Sequence, residues 1–592
     1  MQHTKHSTND SSAFALLFSY IGRDRALLIR ASLLLILATG ADVAGPLLAK
    51  LFIDDYLMQS RFAPMPLAMI LAAYLLTQIG SAWLRYQQTL RFTDIALAAV
   101  KEIRQRVFSH VLKLPVAWFD RAATGQLVSR ITNDTEAIKD LYVQFLSTVL
   151  TNAVLLLGII IAMALLDLRL MAISLMLIPG VIGLIYLYQR LSGSAVAAAR
   201  QDRSEINNLI SESIAGMPVI QAGSQQGRFS EHFEQLNERY YASRMRTIRV
   251  SALLLRPAID LLSISVLIAV IWGFGQVQVE GAIEIGVLYA YLNYLGRFTE
   301  PLAEITQRFN LYQQAMVAGA RVQALLQQPV PSADGTEPCI PQGGIRFDDV
   351  GFSYREGKPV LRHLNLSIAA GSFIGIVGHT GSGKSTLLNL LLNFYPVSSG
   401  TLSIDDRPIE QYSQQALRDG IALIPQEPFI KSASLRENID MGRSLPHAQL
   451  ETALREAGLW EFVAQLPQGL ETLLGERGTR LSTGQRQQLV IARALAATPR
   501  ILLLDEATAN VDSETEQIVQ RALNRLHGHT TLIVVAHRLS TIRRADQILV
   551  MRQGEIVERG NHAELMQSEQ GIYHGLYRLQ YQAQQVELAE HQ

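Results

Sequence analysis

Gly378-His379-Thr380-Gly381-Ser382-Gly383-Lys384-Ser385 sets glycines, hydroxyls and one lysine at a spacing suited to gripping phosphate. Glycine lets backbone N–H groups curl toward phosphate oxygens with no Cβ in the way. Lys384 can reach the outer phosphates, and the Ser385 hydroxyl suits a Mg²⁺ ligand. Thr386 then opens an apolar run that reads as a helix, whose N-terminus adds unpaired donors and a positive dipole end. A second constellation is Ile501-Leu502-Leu503-Leu504-Asp505-Glu506, an apolar run ending in two carboxylates. Asp505 suits a direct or second-sphere hold on Mg²⁺, and Glu506 suits the general base that polarises an attacking water. His537 closes a third apolar run, Thr531 to Ala536, and suits a hydrogen bond to a terminal phosphate. Together these residues spell binding and hydrolysis of a nucleoside triphosphate.

Two further stretches bear on that chemistry. Leu481-Ser482-Thr483-Gly484-Gln485, opening a helix at Arg486, is another anion-ready helix start. One domain already has its P-loop, so a second phosphate-reading turn implies a partner. Tyr354, ahead of the P-loop, offers a ring that can stack on a purine base, although a lone Tyr in a hairpin also serves structure.

The elements that must carry these residues follow from pattern. Phe373 to Val377 reads as a buried strand leading into the glycine-rich turn, and strand, turn, Lys-Ser and helix form the context that a P-loop requires. Strands alternate with helices from Ile345 to about Gln582, the pattern of an α/β domain. Residues 327–344, rich in Pro, Gly, Ser and Gln, read as a linker, and residues 583–592 as a polar tail.

The first half has another character. Hydrophobic residues make up 49% of the 592, and charged ones only 18%, below the soluble average of about 25%. The formal net charge is zero, which gives no global field for nucleic acid. A single cysteine, Cys339, excludes an internal disulfide or a cysteine-rich metal centre. Residues 1–25 read as a polar tail followed by a short interfacial helix at Ala13–Ile21. Within residues 26–326 six apolar stretches, each near the 20 residues a bilayer crossing needs, begin at about Ala26, Leu67, Leu141, Leu170, Ser251 and Ile283.

Lysine and arginine concentrate between stretches two and three and between four and five, while the opposite connections offer only Arg61 and Arg169. That bias puts both long connections, both termini and the P-loop domain in the cytoplasm. The long connections read as helical extensions of the spans. At their tips Leu114–Asp120 and Met217–Gly223 each follow a proline with apolar residues suited to docking in a groove on another domain. Asp42, Arg256, Asp260, Arg297 and Glu300 lie inside the spans. They either line a polar substrate chamber or pair with one another.

The second half resembles the nucleotide-binding domain of ATP-binding cassette transporters. The resemblance covers Ile345 to Gln582, and the first half resembles the six-helix exporter type, including Thr124-Gly125-Gln126-Leu127-Val128-Ser129-Arg130-Ile131-Thr132-Asn133-Asp134 after the first tip. It implies an all-α six-helix transmembrane exporter domain followed by an α/β P-loop ATP-binding cassette domain. It also implies ATP and Mg²⁺ as cofactors, and a Q-loop glutamine at Gln426 that serves catalysis and the metal. A D-loop ends at Asp512, and Ser482, Gly484 and Gln485 are carried as signature contacts to nucleotide. Thr483 departs from the glycine usual in the family.

Within that family the likeness is to half-transporters of bacterial multidrug exporters, which pair with a different half-transporter. A heterodimer is therefore favoured over a homodimer, in the bacterial inner membrane, in contact with lipids and amphipathic small molecules and not with nucleic acid. A lipid flippase of the same fold, or an ATP-gated channel or regulator, are the alternatives.

Overall fold

The computed structural model describes residues 20, 25–60, 63–122, 124–254, 256–278, 285–330, 335–355, 357–505, 513–536 and 538–580. Apart from Tyr20, the expected interfacial helix lies outside them, as does the polar tail. The chain divides into two compact units. One holds the residues up to Lys113 together with Ala122–Gln328; the other holds Leu114–Arg121 and everything from Pro329 onward.

The first unit is helical. It contains α1 (Arg25–Phe52) and α2 (Pro64–Val111), whereas the one-turn α3 (Val116–Phe119) belongs to the second unit. The series continues with α4 (Thr124–Ile131), α5 (Asn133–Asp140), α6 (Ser147–Leu166), α7 (Leu168–Leu175), α8 (Leu177–Ala215), α9 (Met217–Ala222), α10 (Gln226–Leu254), α11 (Arg256–Gln278) and α12 (Ile285–Leu326). Among the described residues, five helical stretches are long and apolar enough to cross a membrane, starting at Arg25, Pro64, Gly125, Leu168 and Gln226. The expected sixth, α12, has 42 residues but carries Asn293, Arg297, Glu300 and four tyrosines, which lower its mean hydropathy. α2 is 48 residues long, about 72 Å at 1.5 Å per residue, against a hydrocarbon core of about 30 Å. It therefore runs well beyond a bilayer, as the helical-extension reading requires.

Local chemistry explains the turns and joints. Asp167 alone separates α6 from α7, and its carboxylate accepts from the N–H groups of Arg169 (2.7 Å) and Leu170 (3.0 Å), capping α7. Pro46 inside α1 has no N–H to offer the carbonyl of Asp42. Arg297 Nη1 takes up that carbonyl at 3.3 Å and the Asp42 carboxylate at 3.1 Å. Arg85 holds the other carboxylate oxygen. Of the two readings for the charges in the spans, Asp42 and Arg297 follow the pairing one. The side chain of Arg256 lies outside the described set, while Asp260 and Glu300 are exposed.

Around the Asp42 pair lies an apolar core that includes Val43, Ile159, Met163, Val181 and Val270. Within it two buried tyrosines find acceptors: Tyr294 donates to the Val43 carbonyl at 2.6 Å, and Tyr291 to the Met163 carbonyl at 2.7 Å. Farther along α12, Arg321 donates to the buried Asp134 of α5 at 2.5 Å. The motif after the first tip is thereby fixed to the last long helix.

The second unit is built on two sheets. Its strands are β1 (Ile345–Phe352), β2 (Leu361–Ile368), β3 (Phe373–Gly378), β4 (Ser399–Ile404), β5 (Arg407–Pro408), β6 (Ile421–Ile424), β7 (Ile501–Asp505), β8 (Thr531–Val535), β9 (Gln547–Arg552) and β10 (Glu555–Gly560). The smaller sheet has order β2-β1-β4-β5 and is antiparallel. The larger has order β10-β9-β3-β8-β7-β6, parallel except for β10. β3, β7 and β8 are apolar almost throughout, as strands buried on both faces must be. Register sets Ile376 beside Val535 and Val535 beside Asp505, so the P-loop strand and the carboxylate strand finish at one edge. Ligands of open α/β sheets gather at that carboxyl edge.

Candidate nucleotide site

The P-loop leaves the end of β3 and feeds α13 (Lys384–Leu391). Two of its glycines are dictated by geometry. At Gly378 a Cβ would lie 2.3 Å from the Met551 carbonyl oxygen. At Gly383, the residue before α13, φ is +104° and a Cβ would strike Leu361 at 2.7 Å. The loop closes on itself through Ser382 N–H to the His379 carbonyl (3.1 Å), and the β9–β10 turn braces it through Gly554 N–H to the Ser382 carbonyl (3.1 Å). Lys384, only 7% exposed, spans the loop, donating to the carbonyls of Gly378 (2.9 Å) and His379 (3.3 Å). The Ser382 hydroxyl is buried and has no hydrogen-bond partner among the described residues. A loop that aims donors and a buried lysine inward fits a phosphate chain.

Beside it, the Ser385 hydroxyl donates to Asp505 Oδ1 at 3.3 Å. Two hard oxygens at that separation match, within a few tenths of an ångström, one edge of an octahedron with bonds of about 2.1 Å. The residues present therefore fit Mg²⁺. Gln426 follows β6 by two residues, and Ile424 of that strand pairs with Leu504, so Gln426 belongs to the same edge. Thr386, buried in α13, accepts from the Tyr354 hydroxyl at 3.2 Å. Tyr354 is thus brought against the P-loop helix, as a base-stacking residue would need to be. Glu506, Asp512 and His537 lie outside the described residues; Glu506 follows Asp505 directly, and His537 follows Ala536 at the end of β8.

Between the P-loop and the signature come α14 (Gln414–Gly420), α15 (Leu435–Asp440), α16 (His447–Glu456) and α17 (Trp460–Gln465). The signature turn opens α18 (Thr483–Ala496) with a reciprocal cap. Ser482 Oγ accepts from Gln485 N–H at 3.2 Å, and the Gln485 amide oxygen accepts from Ser482 N–H at 2.9 Å. The serine's own O–H has no acceptor among the described residues. Thr483, where the family has glycine, accepts from Arg486 Nη2 at 3.1 Å, and Arg486 also holds the Leu481 carbonyl at 3.0 Å. The extra side chain therefore ties the turn down. Among the described residues no hydrogen bond joins this turn to the P-loop face.

Several participants escaped the sequence reading. Asn438 is wholly buried; its side chain bonds the main chain of Lys431 and Ser434, while Arg493 of α18 donates from Nε to its carbonyl at 2.6 Å. Burial holds the Arg493 guanidinium below its usual pKa. No spacing rule flags an asparagine that ties the signature helix to the segment after Gln426. Arg85 was missed as the partner of Asp42 because two helices had to be juxtaposed first. The first tip, by contrast, was legible as a docking element: Leu114 is buried and Ala117 packs on the cassette core near Phe352 and Tyr395. The second tip leaves Val219 76% exposed.

A membrane helix bundle joined to a P-loop cassette with a separate signature turn defines an ATP-binding cassette exporter half. The chain belongs to the ABC transporter family. Residues 28–302 match the ABC transporter transmembrane region and residues 361–509 match the ABC transporter family itself. It is 38% identical over 565 residues to the multidrug resistance-like ATP-binding protein MdlB of Buchnera aphidicola subsp. Acyrthosiphon pisum, spanning 95% of this chain and 97% of that relative. It is 39% identical over 507 residues to the probable multidrug resistance ABC transporter ATP-binding/permease protein YheH of Bacillus subtilis, spanning 85% and 75%. A solved structure of a bacterial Atm1-family ABC exporter with ATP bound superposes with a TM-score of 0.78 at 25% identity, covering 94% of this chain and 98% of that one. The protein is accordingly a multi-pass membrane protein that binds nucleotide and couples an ATPase to export, in a fold that works as a dimer.

Proposed function

We propose that this chain is one half of a heterodimeric exporter of the bacterial inner membrane that expels amphipathic compounds, multiple drugs among them, by alternating access. The observation that carries the reading is a P-loop face and a capped signature turn in one cassette with no hydrogen bond between them among the described residues. Two chains arranged head to tail would complete two sites, each pairing one chain's P-loop with the other's Ser482, Gly484 and Gln485. The names of the MdlB and YheH relatives support drugs as cargo. The basic bias of the long connections supports a cytoplasmic cassette and cytoplasmic termini.

In the nucleotide cycle the N–H groups of Gly378 to Ser385 and the Lys384 ammonium grip the phosphates and orient the terminal one. Tyr354 stacks on the base. Ser385 and Asp505, helped by Gln426, would hold Mg²⁺, which when bound neutralises phosphate charge. Glu506 accepts a proton from the attacking water, His537 steadies the terminal phosphate, and Asp512, at the end of the D-loop, is a contact to nucleotide. Closure of the cassettes on ATP shifts the membrane bundle outward, and hydrolysis resets it.

Glu506→Gln in the reconstituted complex should retain ATP binding and lower turnover by about 10²-fold or more. ATPase at the parental rate would remove Glu506 from the role of base. Uphill dye accumulation in sealed vesicles separates this pump from an ATP-gated channel.

A further inference from the structure

Tyr395 takes no part in the phosphate chemistry. It lies shortly after α13 and is nearly fully buried. Its ring meets that of Tyr354 edge-on, with centroids 5.0 Å apart at 90°, and that of Phe352 at 5.5 Å and 68°. Its hydroxyl donates to Asp120, the residue that follows α3 in the first tip. The next residue, Arg121, donates from Nη2 to the Tyr354 carbonyl at 3.4 Å. The tip therefore holds Tyr354 twice, by its main chain through Arg121 and by its ring through Tyr395. The Tyr354 hydroxyl meanwhile donates to Thr386 and accepts from Asn389 Nδ2 (3.3 Å), both on α13.

A buried phenol must place its proton on an acceptor, and a carboxylate is a strong one. Burial, then the bond to Asp120, pushes the Tyr395 hydroxyl well above its usual pKa, so it stays a donor at working pH. That bond fixes the Tyr395 ring, and edge packing against it leaves the Tyr354 ring few orientations.

We propose that Tyr395 is a positioning residue for nucleotide: held by Asp120, it sets the Tyr354 ring for the base, so that the first tip and the base platform move as one. This rests on the reading of Tyr354 as the base-stacking residue. The tip is continuous in sequence with α2 and α4, so a displacement there reaches the Tyr354 ring through the Tyr395 hydroxyl and its main chain through Arg121. Stacking of the base pushes back along the same path, because such coupling is reciprocal.

The test measures KM and kcat for MgATP hydrolysis, with Tm, in the complete reconstituted complex. Its variants are Tyr395→Phe, Asp120→Ala, Asp120→Asn, the Tyr395→Phe/Asp120→Ala double and Tyr354→Ala. Losing one hydrogen bond to a carboxylate predicts that Tyr395→Phe raises KM by about 3- to 10-fold, with a smaller change in kcat. Asp120→Ala should match it, and Asp120→Asn, which keeps an acceptor, should recover most of the parental KM. The double should be no worse than either single, since both remove the same bond. Additive singles overturn the proposal. So does a lowered Tm with KM unmoved in Tyr395→Phe while Tyr354→Ala raises KM; the base-platform reading then stands without the relay. Parental KM in Tyr354→Ala overturns that reading and the relay with it.

Discussion

Lys384 shows how one side chain can be set up for its ligand by its surroundings. It is buried between β3 and α13 with its ammonium against two loop carbonyls, so a charge lies where the phosphates of ATP would pass. Replacing it with methionine keeps the stem's packing and removes the charge. Lys384→Met should weaken binding of a fluorescent ATP analogue by about 10-fold or more, as expected for losing a charge-assisted contact. Equal affinity in a titration would mean that the backbone cradle alone binds the phosphates. Gly378, Gly383, Lys384 and Ser385 were readable from spacing because glycine and lysine are demanded by local geometry. Tyr395 and Asn438 were not, since their roles depend on residues distant in sequence.

Between α1, α2 and α12 the Asp42 carboxylate serves two guanidiniums. Removing it leaves two partly exposed guanidiniums without the carboxylate that ties the three helices together. Asp42→Ala should therefore lower the Tm of the purified complex, whereas Asp42→Asn, which still accepts hydrogen bonds, should lose less. Identical Tm values for the parent and both variants would show that the three residues are not a structural joint.

In the cassette, α19 (Ser513–Leu526) and α20 (Leu539–Ile542) precede α21 (His562–Met566), where His562 bonds the buried Tyr573 hydroxyl at 2.8 Å. Burial, with Arg543 nearby, lowers the His562 pKa from its ordinary 6.5. The unfolded chain then takes up the proton more readily than the folded one. The resulting stabilisation is complete above pH 6.5 and is lost as pH falls through the lower folded value. A urea series should show the parent losing stability on acidification below pH 6.5, with a flatter profile for His562→Gln. The same slope in both would assign the acid sensitivity elsewhere. The helix-period stretches and the P-loop strand were legible because apolar runs and glycine spacing are local signals. The order β10-β9-β3-β8-β7-β6 was not, since it depends on pairings distant in sequence.

For the whole molecule, the central claim is that nucleotide is clasped between this chain's P-loop and the signature of its mate. Two domains, five of the membrane crossings and the family itself were visible in the sequence, because hydropathy and phosphate motifs are strong local patterns. The sixth stretch, from about Ile283, also reads as a span, but α12 is not among the five described helices apolar enough to cross, because Arg297, Glu300 and its tyrosines lower its hydropathy. The exposed Cys339 can be replaced by serine to give a cysteine-free background. A spin label at exposed Lys358, between β1 and β2 and outside the P-loop, and a second beside the mate's signature turn, then report the distance across the site in the reconstituted Glu506→Gln complex. The account predicts a broad, long distribution without nucleotide that collapses to a short, narrow one with MgATP. An unchanged distribution on adding MgATP would contradict it.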